Sequence, residues 1–383
     1  MRQTSVLIVG GGPAGLSAAG ALKTVGLEPV ILDREQRIGA SWSQRYDRLH
    51  LHTVSRFSGL AHYPVPKHYP KYPSKDEYAD YLQSYAKHFV LHVEGNTRVA
   101  SIRRNGIAGN QSGFIVETDN GTWTCSNVVL ATGKFREPAI PAFPDLDLYR
   151  GTALHASSYR TARAYAGKRV LVVGLGNTGA EIAADLVEQG AAAVAVSVRT
   201  MPTIVPRDVL GRPIQETGIL MSRLPPKVAD GIGKIVARFT VGDLRRYGIG
   251  PAQWTPFVSN RPPVIDVGFL RQLRANRIQV RPDIGRFVPD GVVFVDGREQ
   301  TFDAVIFATG FTTGLETILG VPGVLDGTGN PQFGSSTSPP LPGLYFIGFR
   351  QSNRGLLYEI EIDSRRLAAT IAGRKAAIGA LRT

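Results

Sequence analysis

Residues 149–200 read YRGTALHASSYRTARAYAGKRVLVVGLGNTGAEIAADLVEQGAAAVAVSVRT. Within them, residues 170–174 (VLVVG) form the unbroken apolar run expected of a parallel strand buried on both faces. The run leads straight into Gly174-Leu175-Gly176-Asn177-Thr178-Gly179, after which Ala180, Ile182, Ala183, Leu186 and Val187 recur at helical spacing. A second β-rich run then ends at Arg199. Strand, glycine turn, helix, strand is the context in which G-x-G-x-x-G gains meaning. The first glycine permits the tight turn, the second lets backbone approach a pyrophosphate, and the third lets helix and strand pack closely. The helix N-terminus then offers free N–H groups and a positive dipole to the phosphates.

At the end of the second strand, a chain that selects NAD places Asp or Glu against the ribose 2′-hydroxyl. Here Arg199 takes that place, followed by Thr200. A guanidinium pairs with a 2′-phosphate, so the unit is expected to take NADP(H). A plain surface arginine at a strand end is the competing reading.

The pattern also stands at the start of the chain. Residues 5–10 (SVLIVG) enter Gly10-Gly11-Gly12-Pro13-Ala14-Gly15, then a helix with Leu16, Ala19 and Leu22, then a strand over residues 29–32 closing on Asp33. Asp33 falls roughly twenty residues past the turn, where a ribose 2′-hydroxyl acceptor belongs. Two units with opposite chemistry at the ribose position predict an α/β fold with two Rossmann-like dinucleotide-binding domains, FAD in the first and NADPH in the second.

Composition bounds what else the chain can be. Its 383 residues allow two or three domains, and a charged fraction of 20% argues against disorder. No apolar run reaches the roughly 18 residues that span a bilayer, and no signal-peptide pattern precedes the first strand. A soluble, cytoplasmic protein without integral membrane contact is therefore expected. The single cysteine, Cys125, excludes an intramolecular disulfide and a Cys-x-x-Cys redox pair. The net charge of +13 raises nucleic acid as a partner. The arginines are scattered and not interleaved with aromatics, so attraction of anionic cofactors is preferred. A homodimer is compatible with the sequence but not specified by it.

Six of the seven histidines (His50, His52, His62, His68, His88, His92) precede the second unit. The alternation His50-Leu51-His52 would put two imidazoles on one face of a strand, yet no cysteine is near and no metal-ligand spacing is matched, so no metal is expected. Residues 75–88 (KDEYADYLQSYAKH) read as an amphipathic helix with Tyr78, Leu82 and Tyr85 inward. Residues 97–133 alternate like antiparallel strands and end in NVVLATG; residues 303–310 (DAVIFATG) repeat the phrase. The two are expected as paired crossings between domains. A helical insertion is expected at about 201–262, where Val228, Ile232, Ile235 and Phe239 share one helix face. An interfacial membrane helix is one reading of that face. Packing against the core or lining a substrate channel is preferred, because the polar face is not strongly basic.

Together these residues resemble the class B flavin-dependent monooxygenases, most closely the plant YUCCA indole-3-pyruvate monooxygenases, over nearly the whole chain. The motif F-x-G-x-x-x-H-x-x-x-Y of that class is matched from Tyr149 through Gly151 and His155 to Tyr159, with tyrosine in place of the leading phenylalanine. Tyr159-Arg160 stands where Baeyer–Villiger relatives have Trp-Pro. Residues 46–52 (YDRLHLH), 205–211 (VPRDVLG), 263–268 (PVIDVG) and 354–357 (RGLL) add YUCCA-like phrases.

The resemblance implies an FAD domain split into 1–148 and 304–383, with an NADPH domain inserted at 149–303. It implies FAD contacts from Gly10, Gly12, Gly15, Asp33, Trp42, Val99 and Gly133, with Gly355, Leu356 and Leu357 near the flavin ring. NADPH would be held by Gly174, Gly176, Asn177, Gly179, Arg199 and Thr200. His155 would help tie the two sites together, and Thr309 and Gly310 are further expected cofactor-binding residues. His52 occupies the place of an asparagine found in many animal-type members and is the candidate catalytic residue.

In such enzymes NADPH reduces FAD, and O2 then adds at flavin C4a to give a (hydro)peroxide. The neutral form oxygenates N or S; the deprotonated form attacks a carbonyl, and a 2-oxo acid then loses CO2. An imidazole titrates near neutrality, so His52 bears on which form persists. The YUCCA-like phrases favour oxidative decarboxylation of a small-molecule aryl 2-oxo acid resembling indole-3-pyruvate. The rivals are N- or S-oxygenation of a soft nucleophile, a non-oxygenating NADPH–flavin oxidoreductase, and a non-enzymatic NADPH sensor.

Overall fold

The computed structural model describes residues 1–105, 113–334 and 341–380. Two sheets organise the chain. In the seven-stranded sheet, Arg2–Val9 is central, with Val30–Leu32 and then His92–Glu94 parallel on one side. On the other side Gly121–Leu130 runs parallel to it, Val9 opposite Leu130, and Leu344–Phe346 pairs parallel with Gly121–Leu130. Gly113–Thr118 and Val99–Asn105 extend this side antiparallel, as expected; residues 106–112 of that run lie outside the described residues. The second sheet has five strands, all parallel, in the order Ile278–Arg281, Ala193–Ser197, Arg169–Val173, Ala304–Phe307, Thr152–His155.

Each central strand is apolar because both faces are covered: Val6 to Ile8 and Val170 to Val172 are fully buried. The helix Pro13–Thr24 starts with proline in its first turn, where no N–H is lost from the ladder. Its small residues let the closing helix Leu356–Ala380 lie against it. The helix Lys75–His88 forms where expected. Ser74 and Glu77 close a capping box at its start, and Tyr78, Leu82 and Tyr85 are fully buried.

The chain leaves the first sheet after Leu130 and returns to it after Phe307. Each Ala-Thr-Gly phrase thus ends a strand beside a glycine-turn strand, one in each sheet. The two connecting straps pair antiparallel, Phe311 with Pro138 and Thr312 with Glu137, and the Thr309 hydroxyl donates to the Ala139 carbonyl at 2.5 Å. The expected domain bounds shift accordingly. Ala304–Phe307 is a strand of the second sheet, so the return falls after Phe307 rather than at 304. Phe143 and Leu146 pack with Phe287 in the second body, so the outward crossing falls near Glu137–Pro138 rather than at 149.

The insertion carries the helices Ile214–Met221, Pro226–Thr240 and Pro256–Ser259. The preferred reading of Pro226–Thr240 is overturned. Val228, Ile232, Ile235 and Phe239 face outward, 51%, 41%, 60% and 83% exposed. The inward face is built instead from Ala229 and Asp230, both buried, and the half-buried Gly233 and Ala237. Asp230 fixes that approach, accepting from Thr255 Oγ1 at 2.6 Å and from the Phe257 and Val258 amides, both at 2.9 Å. Small residues let the helix sit close, which leaves the large apolar side chains outside.

Candidate active site

The two glycine turns are built alike. Gly10 and Gly174 have φ of +108° and +102°, a region open to glycine alone at low cost. A Cβ on either would lie 2.7 Å from a backbone oxygen of the neighbouring strand's end, Ala131 or Ala308. The Gly10 amide donates to the Leu32 carbonyl at 2.8 Å and the Gly174 amide to Ser197 at 2.9 Å. Gly15 and Gly179 press against the carbonyls of Gly10 and Gly174, where no side chain fits. These constraints hold the N-termini of Pro13–Thr24 and Asn177–Glu188 at one continuous cavity of about 1090 Å³, lined by Gly10, Gly12, Gly176 and Asn177.

Asp33 stands at the first end of this cavity. Its carboxylate accepts from the Gly11 amide and, at 2.7 Å, from the Glu35 amide. Burial raises its pKa above the ordinary carboxylate value, against those two hydrogen bonds, which lower it. Trp42, Val99, Gly133, Leu356 and Leu357 line the same cavity; Trp42 meets Tyr78 edge-on, centroids 4.8 Å apart.

At the second end Thr200 lines the cavity, while Arg199 is exposed beside it and not part of its wall. Asn177 also serves the fold, since its Oδ1 accepts from the Ile265 amide at 2.7 Å. Gly15, Gly174, Gly179 and Thr309 act from behind the wall, and Gly355 lines a second cavity.

Three features test whether dinucleotides fit. Gly12, Gly133, Gly176 and Gly310 line the cavity, and a Cβ on any of them would meet no protein atom within 4 Å, so each leaves room open. The Thr132 hydroxyl, in the same wall, is buried without a hydrogen-bond partner, a costly state that a ligand phosphate or hydroxyl relieves. The open helix N-termini supply the anion-binding N–H groups. The lining residues fit a dinucleotide at each of the two turns.

His52 sits where this cavity meets the second one, of about 1420 Å³, and lines both. Its Nε2 is buried and makes no hydrogen bond. The closest carboxylate, Glu181 Oε2, is 3.5 Å away, too far for a good hydrogen bond but close enough to orient the ring by charge. Glu181 is 2% exposed, lies on Asn177–Glu188, and accepts from the Tyr46 hydroxyl at 2.5 Å. Burial, with the Glu181 charge, pushes the Tyr46 pKa well above its ordinary value, so Tyr46 is a permanent donor. Further along the same strap, Arg48 is ion-paired with Glu188 and the Asp47 amide donates to the Arg160 carbonyl at 2.9 Å. Residues 46–52 are thereby fastened to the second body. They form no regular strand: His50 is exposed, its Nδ1 2.8 Å from the Arg48 carbonyl. His50 and His52 both line the first cavity, and of the two only His52 also lines the second.

His155 ends the strand Thr152–His155. The Ser157 amide donates to its Nδ1 at 3.1 Å, so Nε2 carries the proton and donates to the Gly310 carbonyl at 2.9 Å. Burial lowers its pKa, keeping it neutral. It clamps the returning strap beside the cavity. Tyr149 and Tyr159 brace the same motif, donating to the Phe302 carbonyl at 2.9 Å and to Asp185 at 2.6 Å.

The second cavity is walled by Met221, Trp254, Phe257 and Leu244, with Lys134 and Phe135 at its junction with the first. Burial lowers the pKa of Lys134. Gln215, 5% exposed, joins two parts of the wall: the Val54 amide donates to its Oε1 at 2.9 Å, and its Nε2 donates to the Arg354 carbonyl at 2.8 Å. Sequence reasoning missed Glu181 and Gln215. Glu181 had a signal, an acid that shares the apolar side of its helix with Asp185; Gln215 had none. Cys125 is buried in the first sheet, away from both cavities, its thiol pushed up to about 12 by burial. Among the described residues no three His, Cys, Asp or Glu side chains gather as a metal site.

A mixed sheet and a parallel sheet whose glycine turns open on one cavity, with a half-buried histidine at the junction, define an oxidoreductase of the two-dinucleotide flavoprotein class. Residues 7–207 match the family described as pyridine nucleotide-disulphide oxidoreductase. The chain is 33% identical over 390 residues to the probable indole-3-pyruvate monooxygenase YUCCA3 of Arabidopsis thaliana, covering 96% of this chain and 86% of that protein. It is 34% identical to the indole-3-pyruvate monooxygenase YUCCA1 of Oryza sativa subsp. japonica, covering 92% and 87%. In fold it matches a flavin-containing monooxygenase from Stenotrophomonas maltophilia with a TM-score of 0.76 at 24% identity, covering 98% of this chain and all of that one. The chain belongs to the pyridine nucleotide-disulphide oxidoreductase family and, within it, to the flavin monooxygenases of the YUCCA type. It is an FAD-dependent enzyme.

Proposed function

We propose that the first body binds FAD, the second binds NADPH, and the enzyme converts an aryl 2-oxo acid, O2, NADPH and a proton into the shortened carboxylic acid, CO2, water and NADP⁺. The observation that carries this reading is the single cavity with a glycine turn at each end and His52 where it opens into the second, apolar cavity. Bound FAD supplies the redox chemistry, accepting a hydride and activating O2.

The chain's own groups do the rest. The two helix N-termini take the pyrophosphates, and Asp33 accepts from the flavin-side ribose. Thr200 and the exposed Arg199 would take a 2′-phosphate, a reading supported by Thr200 in the cavity wall with Arg199 beside it. His155, neutral, keeps the Gly310 strap against the nicotinamide side. His52 offers a buried Nε2 without a hydrogen-bond partner, facing Glu181 at 3.5 Å, available to hold or move a proton at the reacting centre. Trp254, Phe257 and Met221 exclude water and accept an aryl group, and Lys134 offers a cation for the substrate carboxylate.

Rapid-mixing spectroscopy tests the proposal. The FAD-loaded protein is reduced by NADPH without oxygen, then mixed with O2 and indole-3-pyruvate. The expected result is a transient blue-shifted flavin band and one CO2 per NADPH consumed. Stoichiometric H2O2 with every aryl 2-oxo acid tried, alongside coupled turnover of amines or sulfides, would overturn the substrate assignment in favour of heteroatom oxygenation.

A further inference from the structure

We propose that the helix Pro226–Thr240 docks the protein on an anionic lipid bilayer surface. Its outer side carries Val228, Ile232, Ile235 and Phe239 in one stripe, from 41% to 83% exposed, at the i, i+4, i+7, i+11 spacing that aligns side chains along a helix. Leu224, just ahead of the helix, adds to the patch at 40% exposed. Single exposed apolar residues are ordinary on a protein surface, but an aligned row of this size marks an interaction face.

The flank of the stripe identifies the occupant. Lys227, Lys234 and Arg238 are exposed and lie roughly 100° around the helix from the apolar row; Lys234 and Arg238 also line the second cavity. The one acid on the helix, Asp230, is buried and committed to Thr255 and the amides of Phe257 and Val258. Asp243, just beyond the helix, is ion-paired with Arg245. The outer surface of this helix is therefore an apolar row with a cationic border. An interfacial helix needs that arrangement: apolar side chains sink into the acyl boundary while lysine and arginine reach anionic headgroups. A second copy of the chain fits less well, because pairing would bring two cationic borders together on molecules of net charge +13. Gly233 and Ala237, on the other side of the helix, wall the second cavity, so docking would set that cavity at the bilayer. No described helix is long and apolar enough to cross a membrane; the attachment is peripheral.

Vesicle co-sedimentation of the FAD-loaded full chain tests this, using phosphatidylcholine vesicles with and without phosphatidylglycerol. Binding is expected to the phosphatidylglycerol-containing vesicles, weakening as salt screens the charges. The double substitution Ile235→Ser with Phe239→Ser is expected to weaken it about tenfold or more. Neither side chain lines a cavity, so NADPH oxidation in solution should stay unchanged and report an intact fold. The proposal is overturned by failure to bind phosphatidylglycerol-containing vesicles, by equal binding to phosphatidylcholine alone, or by undiminished binding of the double variant. Self-association that the two substitutions abolish, without vesicle binding, would overturn it in favour of a second copy.

Discussion

At the first glycine turn the residue at the ribose position is drawn in: Asp33 is half-buried, its two carboxylate oxygens engaged by the amides of Gly11 and Glu35. At the second turn the corresponding residue is left out: Arg199 is exposed, and only its neighbour Thr200 reaches the cavity wall. Around this difference the two units are near copies, with matched positive-φ glycines and matched hydrogen bonds from turn to strand. A site held ready by its own backbone suits a ligand that stays. An exposed cation suits a ligand that arrives and leaves, because it stays solvated until a phosphate replaces water. On the proposed reading, the shared architecture would supply the binding and the ribose residue the difference in tenure.

The strongest way to break this comparison is to damage each turn in the same manner. Gly15→Ala and Gly179→Ala each drive a methyl group into the carbonyl of the turn's first glycine. The cost is several kcal/mol of local strain, about 3 or more. Gly15→Ala should give protein without bound flavin, read by its absorbance. Gly179→Ala should stay yellow while its reduction by NADPH slows about 100-fold. Loss of flavin from both variants would mean that the two turns do not serve separate ligands.

Next in size is the charge at the second ribose position. Arg199→Glu replaces a phosphate partner with a hydroxyl acceptor, a change worth about 2 to 4 kcal/mol between the two cofactors. The ratio of kcat/KM for NADPH over NADH should fall about 100-fold or more, with flavin content untouched. An unchanged ratio would return Arg199 to an ordinary surface residue.

A smaller effect is expected where the two units meet. Glu181→Gln keeps the shape of the Tyr46 contact but removes the charge that faces His52 at 3.5 Å. Anaerobic reduction by NADPH should change by less than about twofold, while product formed per NADPH falls about tenfold and its pH dependence shifts. Because a merely structural role would not move the pH profile alone, an equal loss in both half-reactions would sink the positioning role.

The turns were legible because only glycine satisfies a φ near +100° against a neighbouring carbonyl, so residue type and geometry are nearly one statement. Residues 75–88 were legible because Tyr78, Leu82 and Tyr85 recur at helical spacing with polar residues between them. The helix Pro226–Thr240 was not. Periodicity says which residues share a face; which face turns inward was decided by Ala229, Gly233 and Ala237, whose small size allowed close approach, and by the buried ties of Asp230. The domain bounds slipped because Ala304–Phe307 has the same apolar run in either sheet, and only pairing assigns it. Gln215 was invisible because its two partners, Val54 and Arg354, are far away in sequence and are used through backbone atoms.

The finest contrast lies four to five residues before each glycine turn, between the paired central strands. In the first sheet the tie is neutral: Asn127 donates to the Ser5 carbonyl at 3.1 Å. In the second, Arg169 grips Asp303 through its amide at 2.7 Å and its guanidinium at 2.6 and 3.1 Å. The guanidinium holds the Asp303 carboxyl down at about 2, from 3.8. A carboxyl depressed by folding stabilises the folded state fully above its unfolded value, and the gain is lost as pH falls from about 4 toward 2. Both side chains are more than a third exposed, 46% and 38%, so screening leaves about 0.5 to 1 kcal/mol. Asp303→Asn should therefore lower stability by that amount at neutral pH, with the gap from the parent chain closing below pH 4, as read by urea unfolding across the acid range. Asn127→Ala, on the first sheet, should show a small loss of stability without that slope. If the Asp303 gap persists unchanged to pH 2, the clamp works through its amide hydrogen bond and packing rather than through charge, and the two sheets are tied in the same way after all.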